Sequence, residues 1–425
     1  MDPLKYYALG DRLHGPPGFP DPCPQASADA GLIVSVFCLS VVLAASVSRR
    51  SRREARALDR LRGPANAWEA VCWTLGFLAL GLVPFVTLGE GHNALSAVIN
   101  TALAARSQTG YQQFDTVGAA SEHAAYLVLV NALTVVPVVA AYALIALRRS
   151  PMTTAILVVS LALGLLLTAS GGGRTRFAWA VLPVALFCGV RAVETHNGKY
   201  LKLTMVAVVF TATVWGAQLQ YRLQGWADVG EDGLDLRSGL QNDLAAELAF
   251  IAENYPHREP FYGGDGAFER ALRPIPDLLL LFATSPIPRR LWPGKPIDAS
   301  WADLNYLRTG ADGLESTTNI TATVMGRAYV NYGWFGVVEI GLLMGFLCRA
   351  VDRWLERSRG KPFHTLLGCC AGYYLFISAR DLTPGWLYPL LFLAAAGFIA
   401  GLPRRRARGP SEIAIAAFGP RRRAA

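Results

Sequence analysis

Four short segments of this chain set cations beside glycine, proline or aromatic residues, a combination suited to holding phosphate oxygens. In Gly171, Gly172, Gly173, Arg174, Thr175 and Arg176, glycines let the backbone approach a ligand, and each guanidinium fork can grip an anion through paired N–H bonds. The segment 287–296 places Arg289, Arg290 and Lys295 among prolines with Trp292 beside them, enough positive charge on a stiffened turn for a diphosphate. In 326–336, Arg327 and Asn331 stand four residues apart and so share one helix face, while Tyr329 and Gly333 share the neighbouring one. The fourth segment, 378–385, sets Arg380 directly before Asp381.

Each cluster also has a plainer account. Arginines next to a membrane snorkel toward water, and basic turns attract anionic headgroups at about 1 kcal/mol per cation. Gly333 and Gly336 permit close helix packing, with Tyr and Trp at the interface. Arg380 and Asp381 can form a local ion pair of little value if exposed. These accounts leave Arg327 least explained.

Other catalytic signatures are missing. The sequence has no P-loop, Rossmann glycine pattern, metal-ligand histidine cluster or nucleophile elbow. Its six histidines are scattered; His92 and His257 remain candidates for general-base work, in competition with Asp298, Asp303 and Glu315. Glu339 lies well inside an apolar run, where a carboxyl is expected to be protonated and structural or to face a wet cavity. Of the seven cysteines, only Cys23 falls outside the apolar runs, so neither a disulfide framework nor a zinc site is expected. No metal and no cofactor is predicted.

These segments must be positioned by membrane helices. The chain has 425 residues, 52% hydrophobic and 17% charged, whereas soluble domains carry about 25% charged residues. Nine predominantly apolar runs approach the length of roughly 17 to 25 residues needed to cross a bilayer: 30–47, 67–88, 123–147, 151–170, 177–190, 203–218, 328–350, 363–379 and 386–402. Basic clusters alternate with them. The first run leads into Arg49, Arg50, Arg52 and Arg53, and 24 of the 40 cations fall on the same predicted side. Cytoplasmic ends are enriched in Lys and Arg, so the expectation is an inner-membrane multi-pass protein with its N-terminus outside and its C-terminus in the cytoplasm. A cleaved leader is the rival for the first run, but no basic stretch abuts it and the following arginines oppose translocation.

The expected organisation is an external N-terminal segment (1–29), six transmembrane helices (30–220), a large external loop (221–326), three more helices (327–403) and a basic tail (404–425). The net charge of +9 therefore says nothing of nucleic acid, which is not expected as a partner: the large loop holds nine cations against fifteen carboxylates. Within it, Leu236, Leu240, Leu244, Leu248 and Ile251 predict an amphipathic helix over 235–254. The apolar piece 277–283 is too short to span and reads as interfacial or re-entrant.

The order of these elements resembles a known family. A Gly-Arg turn precedes the Pro-Arg-x-x-Trp-Pro-x-Lys-Pro stretch of 288–296. A Gly-x-x-Tyr-x-Asn-aromatic-Gly element at 326–333 and a late Arg-Asp-Leu at 380–382 follow. Together they resemble the bacterial oligosaccharide repeat-unit polymerases of the Wzy O-antigen polymerase type, over about half the chain. The chain departs from that pattern at Arg327, where family members often carry an acid. The resemblance implies an all-α polytopic fold with GT-C-like architecture. It implies a metal-independent, inverting glycosyltransferase joining undecaprenyl-diphosphate-linked glycans on the outer face of the membrane. Its product would be O-antigen, capsule or exopolysaccharide. Partners would be those glycans, membrane lipids and a chain-length regulator of the export machinery. Under it, Arg289, Arg290 and Arg380 hold the diphosphate, Arg174 and Arg176 form a second anion site, and Tyr329 and Asn331 orient sugar hydroxyls. Arg289, Arg327 and Arg380 are the candidate catalytic residues, and Lys295 and Asp381 complete the substrate-binding set. A glycan ligase of the same superfamily, a transporter or flippase of lipid-linked sugars, and a non-catalytic membrane scaffold are the alternatives.

Overall fold

A computed structural model describes residues 24–47, 61–88, 128–169, 174–224, 244–254, 274–284, 287, 291–292, 323–379 and 384–401. All regular structure among them is helical. The helices are α1 (Pro24–Val47), α2 (Ala67–Leu88), α3 (Val135–Ala146, entered through a 3-10 turn at Asn131–Thr134), α4 (Pro151–Ala169), α5 (Arg174–Thr195) and α6 (Gly198–Gln224). They continue with α7 (Leu244–Asn254), α8 (Pro274–Thr284), α9 (Thr323–Arg357), α10 (Pro362–Ser378) and, after a 3-10 turn at Pro384–Leu387, α11 (Tyr388–Gly401).

Among the described residues, six stretches are long and apolar enough to cross a membrane: Gln25–Ser46, Ala67–Pro84, Val128–Ala146, Pro151–Ala169, Arg176–Thr195 and Thr323–Arg357. These answer to the first five predicted runs and the seventh. The fifth run is longer than expected because the helix takes in Arg174 at one end and Arg191 at the other. The remaining three runs are helices as well, but α10 has 17 residues and α11 has 14. In α6, Lys199, Lys202 and Arg222 sit near the ends.

Helices in lipid gain little from apolar burial against one another, so close packing of small residues decides which pairs associate. The main pairing joins α1 to α9. A Cβ at Gly341 would sit 2.8 Å from the Ser40 Cβ and 2.9 Å from the Phe37 carbonyl oxygen, and one at Gly345 would press on the Val41 carbonyl oxygen. Gly341 and Gly345 thus form a one-turn glycine step on which α1 rests. Similar contacts set α2 on the turn before α3, with Gly81 against Leu133, and α4 on α3, with Gly164 against Val136 and Pro137.

Aromatic edges lock the centre. Trp179 of α5 meets Tyr373 of α10 at 5.8 Å and 90°, and Tyr142 of α3 lies between Phe187 and Phe363, each at 5.9 Å. Hydroxyls in this apolar interior bond back to their own helices, as Thr74 does to Ala70, Thr168 to Gly164 and Ser378 to Tyr374, which satisfies them without a partner helix. The cysteines at 188, 369 and 370 are buried and free, filling the core as expected.

Helix α7 covers the described part of the predicted amphipathic helix; Leu236 and Leu240 lie outside the described residues. Its apolar face packs on α1 and the start of α9, burying Leu248, Phe250 and Ile251. Helix α8, expected as an interfacial piece, packs against α9.

Candidate functional site

The start of α9 differs from an ordinary transmembrane helix. Gly333 has φ 66° and ψ −151°, a region open essentially to glycine alone, and it breaks α9 into a short segment 323–332 and a long one 334–357. The chain turns so tightly there that a Cβ at Gly336 would stand 2.6 Å from the Ala328 carbonyl oxygen. At the other end of the short segment Thr323 has φ 61°, unusual for a β-branched residue. Its hydroxyl accepts a hydrogen bond from the Gly326 amide at 3.1 Å, and the Val324 amide donates to the Ala379 carbonyl at 3.2 Å. Gly326 is needed for yet another reason: a Cβ there would meet Ile251 at 2.8 Å and Leu248 at 3.2 Å on α7.

Three of the predicted site residues ride on this bracketed segment. Arg327 is half-buried. Tyr329 sets its ring against that of Trp334 at 5.3 Å and 75°. Asn331 is only 4% exposed, and its carboxamide oxygen has no hydrogen-bond partner among the described residues. A buried acceptor left unsatisfied costs about 1–3 kcal/mol.

Two carboxylates that the sequence did not single out join the segment. Tyr332 donates its phenol hydrogen to Asp277 Oδ2 of α8 at 3.1 Å. Asp29 of α1 is near enough to Tyr329 to act on it electrostatically. Neither could be found by spacing, because both lie far from 323–332 in the chain. The only signals were an acid at the head of the apolar piece 277–283 and another at the edge of the first run. Gly333, expected as a packing glycine, has open space around its missing Cβ; its role is conformational. Glu339 follows the break and is half-buried.

The other predicted residues divide between helix ends and undescribed sequence. Arg174 and Arg176 fall in the first turn of α5 rather than in a loop, a correction to the predicted turn. Arg176 is half-buried on a helix that packs chiefly on α6, α10 and α3. Arg289, Arg290, Lys295, Arg380 and Asp381 lie outside the described residues, as do His92, His257, Asp298, Asp303 and Glu315. Their described neighbours are Leu291 and Trp292, both exposed, and Ala379, whose carbonyl is bonded to α9. Among the described residues no group of three or more His, Cys, Asp or Glu is placed to hold a metal ion.

The arrangement supplies a cation, an amide acceptor, two phenols and two carboxylates around one broken helix, groups able to hydrogen-bond the hydroxyls of a ligand. No protein-family model, no curated protein and no solved structure matches this chain.

Proposed function

We propose that this chain is a membrane glycosyltransferase that polymerises undecaprenyl-diphosphate-linked oligosaccharide repeat units on the outer face of the bacterial cytoplasmic membrane. The observation that carries the reading is the segment 323–332. Two positive-φ residues fix its ends, and its Asn331 oxygen is buried without a partner among the described residues. Strain and unsatisfied polar groups concentrate where a ligand supplies the missing contacts. The resemblance of 326–333 to the polymerase element falls on this same segment.

On this reading α6, α10 and α11 complete nine spans in a GT-C-like architecture, with the N-terminus outside. The acceptor hydroxyl attacks the anomeric carbon of the donor sugar, and the lipid diphosphate leaves with the bonding pair. Arg289, Arg290 and Arg380 neutralise the charge that grows on the diphosphate, the stage at which preorganised donors lower the barrier most. Arg380 is covalently next to Ala379, which is pinned to Val324. Asn331 and Tyr329 orient sugar hydroxyls. Asp277, oriented by Tyr332, takes the acceptor proton, filling the role left open by the arginine at 327.

Replacing Arg380 by Ala is expected to abolish chain growth while leaving insertion intact, and Arg380→Lys to fail as well, since a point charge does not reproduce a bidentate fork. Full-length polymer from a normally expressed Arg380→Ala protein overturns the role. The most direct assay supplies purified protein with lipid-linked repeat units, without nucleotide or metal, and follows elongation.

A transporter of lipid-linked sugars is the second reading, favoured by the helix break beside a buried amide, a feature of transporter binding sites. Glycan gels separate the two. Losing a polymerase leaves single repeat units on the cell surface; losing a transporter leaves none.

A further inference from the structure

Helix α8 has two unlike faces. Leu279 and Leu280 are 63% and 44% exposed. Because α8 packs on α9 at Tyr332, just before the long segment 334–357 begins, these leucines lie at the edge of the hydrocarbon, where the apolar side of an interfacial helix rests. The other face carries Asp277 and Thr284, which are seven residues apart and so stand in line along the helix. Asp277 fixes the direction of that face, since its carboxylate accepts the Tyr332 hydroxyl of α9 at 3.1 Å.

Thr284 departs from the pattern of the other threonines. It is 4% exposed, and its hydroxyl has no hydrogen-bond partner among the described residues. A threonine in an apolar helix can return its hydroxyl to the carbonyl four residues earlier, as Thr74 does to Ala70, Thr168 to Gly164 and Thr211 to Ala207. Thr284 makes no such bond to Leu280. Nor does its side chain close the helix end, because the Ile287 amide already donates to the Thr284 carbonyl at 2.9 Å. Asn331 Oδ1 and Thr284 Oγ1, both buried and without a partner, are thus tied to the one Asp277–Tyr332 bond: Asn331 as the chain neighbour of Tyr332, and Thr284 through the face of α8 it shares with Asp277. Buried polar atoms left in this state call for a partner from outside the chain.

We propose that Thr284 is a further substrate-binding residue, whose hydroxyl bonds a sugar of the acceptor glycan beyond the sugar that gives its proton to Asp277. Seven residues of helix cover about 10 Å at roughly 1.5 Å per residue, so a ligand that reaches both side chains is longer than one pyranose ring. A sugar hydroxyl both donates and accepts, as the threonine hydroxyl does, and completes it in either sense. This role rests on the glycosyltransferase reading and deepens it: the acceptor site is at least two sugars long. Helix α8 then walls that site, with the glycan along Asp277 and Thr284 and the bilayer against Leu279 and Leu280, an arrangement that fits a glycan carried on a lipid. Thr284 is too far from the reacting hydroxyl to sense the bond change, so it holds ground state and transition state alike and acts on KM rather than kcat.

The test uses the purified full chain in vesicles, with donor repeat units in excess and a labelled acceptor lipid that carries either the whole repeat unit or its terminal sugar alone. Thr284→Val keeps the shape and removes the hydroxyl. With the whole-unit acceptor it should raise KM about three- to tenfold, the worth of one hydrogen bond, and leave kcat unchanged. With the single-sugar acceptor its KM should equal that of the unaltered chain. Thr284→Ser keeps the hydroxyl and should keep the unaltered KM for both acceptors, which separates the hydrogen bond from any effect on folding. An unchanged KM of Thr284→Val for the whole-unit acceptor overturns the role and leaves a held water as the partner of the hydroxyl. Equal rises in KM for both acceptors, or a fall in kcat with KM unchanged, overturn it as well. Elongation by the unaltered chain reads the glycosyltransferase activity itself: its absence overturns that reading and this role together, whereas elongation with no change in Thr284→Val overturns this role alone.

Discussion

Gly333→Ala separates backbone strain from packing at the candidate site. The added methyl meets no atom within 4 Å, so the substitution brings no clash and its whole cost is conformational. At φ 66° and ψ −151° an L-residue is disfavoured by about 1–3 kcal/mol, which is about 5- to 150-fold in the population of the broken form at 1.4 kcal/mol per decade. Two other glycines calibrate the result. Gly76 lies within α2 with open space around it, and Ala there should be neutral or stabilising by up to about 1 kcal/mol. Gly345 has helical φ but presses on the Val41 carbonyl and on the Ala44 Cβ at 2.8 Å, and Ala there should cost about 1–3 kcal/mol through overpacking. Unfolding of the detergent-solubilised protein in rising dodecyl sulfate, followed by helical circular dichroism, orders the three. A helix that escapes the strain by straightening gives up the approach of Ala328 to Gly336 and the Tyr332–Asp277 bond, so activity drops even where stability recovers. If Gly333→Ala matches Gly76→Ala in both stability and chain growth, the broken helix is not the working conformation.

Asn331→Leu removes a buried acceptor without a partner, so stability should hold or rise by about 1 kcal/mol while chain growth falls at least about tenfold if the amide meets substrate; the same unfolding assay beside glycan gels reads both, and unaltered polymer excludes the role. Tyr332→Phe deletes a hydrogen bond to a carboxylate and should cost about 1.5–3 kcal/mol. Asp277→Asn keeps an acceptor for Tyr332 but removes the proposed base, so it should abolish chain growth with a smaller loss of stability; equal activity in the two variants would make Asp277 structural.

Much of the fold was readable from the chain because crossing a bilayer is a one-dimensional requirement. Ala67–Leu88 and Pro151–Ala169 follow from predominantly apolar length, and no partner is needed to recognise it. The arginine clusters were equally visible, since charge excluded from hydrocarbon marks where an apolar stretch stops, although the helices themselves run on, α5 through Arg191 and α9 through Arg349 and Arg353. Residue type and spacing also selected Arg327, Tyr329 and Asn331 together, because one helical turn brings them to adjoining faces.

Tertiary structure decided the rest. A glycine in a sequence does not say whether its missing Cβ admits another helix, as at Gly345, or permits a positive φ, as at Gly333. The two differ only in what surrounds the backbone. Asp277 and Tyr332 are 55 positions apart, and Asp29 acts on Tyr329 electrostatically across the packing of α1 on α9. Apolar helices in lipid carry no one-dimensional record of their neighbours, since lipid tails and leucine side chains are alike to them. Which carboxylates reach the broken segment was therefore settled by how α1 and α8 pack on α9, a property of pairs of helices and not of either one alone.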